Sequence, residues 1–196
     1  MTLDLPDPDP NLVAAIAYRA EDDIDTLLAD FGEALVRAGT KVGGIVQRNT
    51  KDDTGKIRGM RVIDLMTGRG IGISQALGSG SGACKLDSAG LAEASRAVQN
   101  AVDADLSLII VNKFSKQEAA GRGLRSEIAD AIQTGRPVLT AVPASCLEAW
   151  TEFTGDRGTT LFCSRAVVED WWREVSTRQA LVRSAASSQP DARRAT

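Results

Sequence analysis

Residues 106–142, LSLIIVNKFSKQEAAGRGLRSEIADAIQTGRPVLTAV, constrain the fold more than any other stretch of the chain. Two apolar runs, Leu106–Val111 and Val138–Val142, flank a segment in which Leu124, Ile128, Ala131 and Ile132 recur at helical spacing. Gly135 stops that helix and Pro137 follows it. A strand, a polar loop, a helix and a second strand form a β-α-β unit, whose strands run parallel. Ligands of such sheets sit outside the carboxyl ends of the strands. The loop expected there carries Asn112, Lys113 and Lys116, with Arg122 and Arg125 following. Those cations and amides make it a candidate anion site, arginine being suited to bidentate contact.

The same alternation extends on both sides. Leu12–Ala17 reads as a buried strand and Ile24–Ala38 as an amphipathic helix with Asp22 or Asp23 as its N-cap. Lys41–Val46 reads as the next strand, with Gln47, Arg48 and Asn49 just past its end, so Arg48 joins the candidate site. Met60–Leu65 and Ile71–Ser74 read as an inserted β-hairpin. Ser88–Ala104 is helical, Cys146–Phe153 a short helix, Thr159–Phe162 a last strand and Val167–Leu181 a last helix. The expectation is an α/β domain of three layers with a mostly parallel sheet, over 11–183. Residues 1–10 read as a flexible arm and 184–196 as a disordered tail. In the last helix Trp171 and Trp172 point about 100° apart, so they are not expected to face one core together, and one of them either covers an oligomer contact or stands partly exposed.

A second candidate anion site is the glycine-serine loop Gly78, Ser79, Gly80, Ser81 and Gly82, flanked by Ser74, Gln75 and Lys85. Successive glycines let backbone N–H groups converge on an anion, and the serine hydroxyls add donors. Cys84 lies beside it, next to a lysine that would lower its pKa.

Composition removes several classes of function. The chain has 196 residues, no histidine and three cysteines without ligand spacing. Catalysis through histidine is excluded, and a zinc site or a disulfide framework is disfavoured. Asp22, Asp23 and Asp25 cluster after the first strand, but capping explains at least one of them, and they do not make a persuasive metal or acid-base pair. A net charge of −3 argues against nucleic-acid binding. No apolar run approaches a membrane span, and the acidic, proline-rich start MTLDLPDPDP is unlike a signal peptide, so a cytoplasmic protein is expected.

The segments VNKFSKQEAAGRGLRSEIADAIQTGRPVLTAV, GGIVQRN at 43–49 and ISQALGSGSGACKLD at 73–87 resemble a bacterial family of unknown function encoded near molybdate transporters. The resemblance covers roughly Leu12 to Phe153. It implies an oxyanion ligand, molybdate or tungstate, no other cofactor, and a molybdate transporter component as partner. The layout is also similar to the small P-loop nucleoside-triphosphatases, whose strand matching Leu108–Val111 ends in an Asp-Glu pair; here Asn112 and Lys113 stand there. A P-loop needs G-x-x-x-x-G-K-[ST] after the first strand, and Ala17–Asp23 has no glycine or lysine. The reading is an oxyanion-binding protein on a P-loop NTPase-like fold with degenerate Walker motifs. The alternatives are a divergent nucleoside-triphosphatase and a regulatory partner of the transporter.

Overall fold

The computed structural model describes residues 10–51, 53–54, 57–75 and 85–187. The glycine-serine loop 78–82, Cys84 and most of both expected flexible ends lie outside the described residues. Among the described residues nine strands and six α-helices follow one another: β1 Val13–Tyr18, α1 Ile24–Arg37, β2 Val42–Lys51, β3 Ile57–Asp64, β4 Gly70–Gly72, β5 Ser74–Gln75, β6 Lys85–Leu86, α2 Ser88–Asp103, β7 Leu108–Val111, α3 Lys116–Ala119, α4 Arg125–Gln133, β8 Val138–Pro143, α5 Leu147–Thr154, β9 Thr159–Phe162 and α6 Arg165–Ser187.

Seven of the strands form one sheet in the order β4-β3-β2-β7-β8-β1-β9. The five from β2 to β9 pair in parallel, and β3 and β4 extend the β2 edge as an antiparallel meander. The β3–β4 hairpin is the expected insertion, with Arg61 opposite Gly72 and Ile63 opposite Gly70. This is the mostly parallel three-layer α/β arrangement read from the sequence, and its layout agrees with a P-loop NTPase-like fold.

Parallel strands covered on both faces must be apolar on both faces, and β7 is buried at all four positions. Its residues alternate between two cores. Ile109 and Val111 pack with α2, α4 and α5 through Val98, Ile128 and Trp150. Leu108 and Ile110 pack with α1 and α6 through Leu28, Phe31, Val168 and Trp171. The chain therefore leaves β1 toward one face of the sheet but leaves β7 and β8 toward the other. That divergence opens a crevice above the carboxyl ends of the strands.

Three expectations are corrected. Gln47, Arg48 and Asn49 do not follow β2 but belong to it: β2 pairs with β7 only as far as Ile45 and continues to Lys51 along β3. The last helix runs from Arg165 to Ser187, longer at both ends than Val167–Leu181; it packs on the core through Val168, Trp171 and Val175, Leu181 and Val182 are exposed, and Arg165–Glu169 and Arg178–Glu174 pairs span its turns. Trp171 and Trp172 both pack on the α1 face; Trp171 is buried and its indole N–H donates to the Asn11 carbonyl at 2.9 Å. The wide apolar face of a helix docked on a sheet accommodates a 100° separation.

Candidate site at the carboxyl ends of β2 and β7

Asp25, in the first turn of α1, organises this end of the sheet. The turn starts where the sequence suggests, since the Asp23 side chain caps α1 by accepting from Thr26 N–H. One residue pair further on, the Asp25 carboxylate collects four side-chain donors. Oδ1 accepts from Lys113 Nζ at 2.7 Å and from Asn112 Nδ2 at 3.1 Å. Oδ2 accepts from Asn49 Nδ2 at 2.9 Å and from Gln47 Nε2 at 3.1 Å. Two separate segments, β2 and the start of the loop after β7, are thereby tied to one carboxylate of α1. The Asp25 and Lys113 side chains are only 14% and 20% exposed, so the pair is far less screened than a surface bridge.

The loop after β7 is held from the other side by Phe114. Its ring is fully buried against Trp150 and Phe153, with centroids 5.1 and 5.2 Å away, and its N–H donates to the Ala141 carbonyl. Glu118 closes the loop. Its carboxylate accepts from the Ser115 N–H at 2.9 Å and the Leu124 N–H at 3.1 Å, bridging α3 to the start of α4. The turn between them needs glycine at Gly123, which has φ +62° and whose added Cβ would lie 2.1 Å from Glu118 Oε1.

Two hollows flank the Asp25–Lys113 pair, and Lys113 lines both. One, about 300 Å³, has an apolar floor of Ile45, Met60, Val62, Ile73 and Leu91 and a polar rim that includes Gln47, Asn112, Ser115 and Gln117. The other, about 350 Å³, lies over the turn after β1 and is lined by Tyr18, Glu21, Asp22, Asp23 and Asp25. Here the Asp22 carboxylate accepts from the Arg19 N–H at 2.7 Å and folds the turn on itself. Burial first, then the Asp25 charge, pushes the Tyr18 phenol up to about 12. Lys113 Nζ sits 5.5 Å from the centre of the Tyr18 ring.

The expected site residues divide among several environments. Asn112 and Lys113 stand at the 300 Å³ cleft. Ser74 is beside it, its hydroxyl accepting from the Met60 N–H. Gln75 and Lys85 pair in the β5–β6 ribbon next to Ile73 of the cleft wall, and residues 78–82 lie outside the described residues. Lys116 opens α3 and is exposed. Arg122 is exposed and donates to Gln117. Arg125 donates to the Glu118 carbonyl and lies over the Phe153 ring at 4.4 Å. Arg48 departs from the expected cluster: on β2 it alternates away from Gln47, toward α1, and pairs with Asp30 at 2.7 Å and Glu33 at 2.9 Å. Those contacts, the Glu33 hydrogen bond foremost, raise its pKa further. Arg48 and Arg122 thus lie on opposite faces of the sheet, because side chains of adjacent strand residues point to opposite faces.

Sequence reasoning singled out neither Asp25, which lies beside the capping candidates Asp22 and Asp23, nor Glu118. The signal available for Asp25 was its place just past the carboxyl end of β1, where the fold puts its ligands.

The model of a family described as proteins of unknown function, DUF2478, matches residues 13–171. The chain belongs to the DUF2478 family. That match runs from the start of β1 to Trp171 in α6 and takes in the residues that line the crevice. Over 183 residues the chain is 63% identical to "Molybdenum import ATP-binding protein ModC 2" of Bradyrhizobium diazoefficiens; the match covers 93% of this chain and 20% of that relative. This DUF2478 chain spans about one-fifth of the length of that relative. No solved structure matches it. Among the described residues no group of histidine, cysteine or carboxylate side chains is placed to hold a metal ion, and no helix is long and apolar enough to cross a membrane.

Proposed function

We propose that this DUF2478 chain is an oxyanion-binding module of molybdenum import, with molybdate or tungstate as its ligand, acting beside an ATP-binding component. The transport link is supported by the 63% identity to a segment of a protein named for molybdenum import. The binding reading is carried by Lys113. An ammonium has three donors, and the Asp25 contact occupies one of them. The others are available at the mouth of two hollows above the strand ends. Around it, the Ser115 hydroxyl and the Gln117 amide nitrogen on the rim, with Ser74 beside the cleft, supply further donors for a tetrahedral dianion, and Gln75, Gly78–Gly82 and Lys85 are the further donors that the sequence offers. Lys116, Arg122 and Arg125 stand farther out and raise the local potential.

Hydrolysis of a nucleoside triphosphate is the weaker reading. The turn after β1 closes on Asp22 and presents carboxylates where a phosphate would need amides and a lysine. A role as a regulatory partner of the transporter is favoured by one observation, the placement of the matching segment within a much longer ATP-binding protein.

Equilibrium dialysis against molybdate, tungstate, sulfate and phosphate tests the main reading. Molybdate and tungstate are expected to be retained, and Lys113→Ala, checked for a cooperative melt, is expected to release them. Failure of the unaltered chain to retain any of the four removes the proposal. Phosphate release from a nucleoside triphosphate and magnesium, lost in Lys113→Ala, would favour the enzyme instead.

A further inference from the structure

The 300 Å³ cleft is lined by two chemically different sets of residues. Ile45 of β2, Met60 and Val62 of β3, Ile73 just past β4 and Leu91 of α2 are apolar, and all belong to or pack against the core under α2. The polar set comes mostly from the loop after β7, and what it offers is donors. The Glu118 carboxylate is already held by the Ser115 and Leu124 N–H groups. The Gln117 carbonyl oxygen accepts from Arg122 Nε at 3.1 Å, so this exposed side chain has its NH2 left to give. Ser115 is half-buried and carries a hydroxyl, Lys113 brings a positive charge, and Arg122 stands beside Gln117 with another.

The two sets ask for different things of one ligand. A bare tetrahedral dianion pressed on five apolar side chains would lose hydration there without gaining a partner. Nor does a single ion fill a cleft whose volume is at the lower end of small-molecule sites. Met60 and Leu91 are only half-buried, so a ligand resting on them removes apolar surface from water. We infer that the cleft takes an organic ester of an oxyanion, a phosphate or sulfate monoester whose apolar part is about the size of one six-membered ring. The anionic head lies at Lys113, Ser115 and Gln117, and the ring lies against Met60 and Leu91. This rests on the anion-binding reading of the same rim and adds the class of ligand that the apolar side selects.

Phenyl phosphate, methyl phosphate and inorganic phosphate share one kind of head, and phenol has the ring alone. Each is titrated calorimetrically into the full chain at a pH where the three phosphates are dianions. Phenyl phosphate is expected to bind one-to-one and about tenfold tighter than inorganic phosphate, with methyl phosphate between them, from the apolar surface that one ring covers. Phenol, without the head, is expected to bind about tenfold more weakly than phenyl phosphate. Leu91→Asn, checked for a cooperative melt, should abolish most of the preference for phenyl over inorganic phosphate. Gln117→Glu, a change on an exposed side chain, should weaken phenyl phosphate about tenfold by setting a carboxylate at the head. If Leu91→Asn does not fold, the four ligands and Gln117→Glu decide. Phenyl phosphate that fails to bind, or binds no tighter than inorganic phosphate or phenol, overturns the inference. So does a preference that Leu91→Asn leaves intact, or an affinity that Gln117→Glu leaves unchanged. Retention of molybdate without any preference for phenyl phosphate sinks this inference alone. Binding of phenyl phosphate when none of the four inorganic anions is retained removes the inorganic-oxyanion reading alone.

Discussion

Lys113 Nζ lies 2.7 Å from Asp25 Oδ1, joining the loop after β7 to the first turn of α1 across 88 positions of sequence. The pair sits between two hollows, with Asn112, Asn49 and Gln47 sharing the same carboxylate. It makes the crevice a pre-formed structure rather than a loose collection of cations.

Removing that carboxylate should be expensive. Asp25→Ala leaves a largely buried ammonium and three amide groups without their acceptor. A loss of about 3 kcal/mol in unfolding free energy is expected, at the low end for breaking a buried pair because both side chains retain some solvent. Urea denaturation measures it. Replacing both partners, Asp25→Asn with Lys113→Met, should cost less than the sum of the two single changes.

Glu118 should behave as a structural group. Its carboxylate accepts the Ser115 and Leu124 N–H groups. Glu118→Ala leaves both donors unsatisfied and is expected to cost about 2 kcal/mol. Glu118→Gln keeps one acceptor and turns an NH2 toward the other N–H, so its midpoint in urea should fall between those of the unaltered chain and the alanine variant.

Gly90 offers a case in which helix propensity and packing oppose each other. It lies in α2, where alanine normally gains about 1 kcal/mol over glycine. A Cβ at this position would lie 1.9 Å from the Gly72 carbonyl oxygen of β4. Backbone cannot rotate away, so α2 would have to lift off the hairpin. Gly90→Ala is expected to destabilise by about 2 kcal/mol net, read as a lower midpoint of thermal unfolding.

Tyr18 gives the fold an alkaline limit. Its phenol is held protonated up to about 12 in the folded chain, against an ordinary 10.0, chiefly by burial and then by Asp25. Below pH 10 both folded and unfolded chains keep the proton, and the contribution to stability is complete. Between 10 and 12 only the unfolded chain releases it, so rising pH favours unfolding. Unfolding free energy measured by urea should fall through this window, and Tyr18→Phe should flatten the fall.

The alternation of apolar runs and helical spacing was enough to determine the α/β class and the parallel strands. Those features follow from local periodicity: Leu108–Val111 is apolar at every position because strands covered on both faces must be, and Ile128 and Ala131 recur because α4 docks on one side. The partners of the charges were decided only by the tertiary structure. Lys113 and Arg48 read alike as free cations beside strand ends, yet one meets Asp25 from α1 and the other meets Asp30 and Glu33 two turns along the same helix. Strand register chose between them. Extension of β2 beyond its pairing with β7 put Gln47 on the cleft and Arg48 on the opposite face. Whether a charge is spent on a neighbour or left for a ligand depends on side chains many residues away, and only the folded chain brings those together.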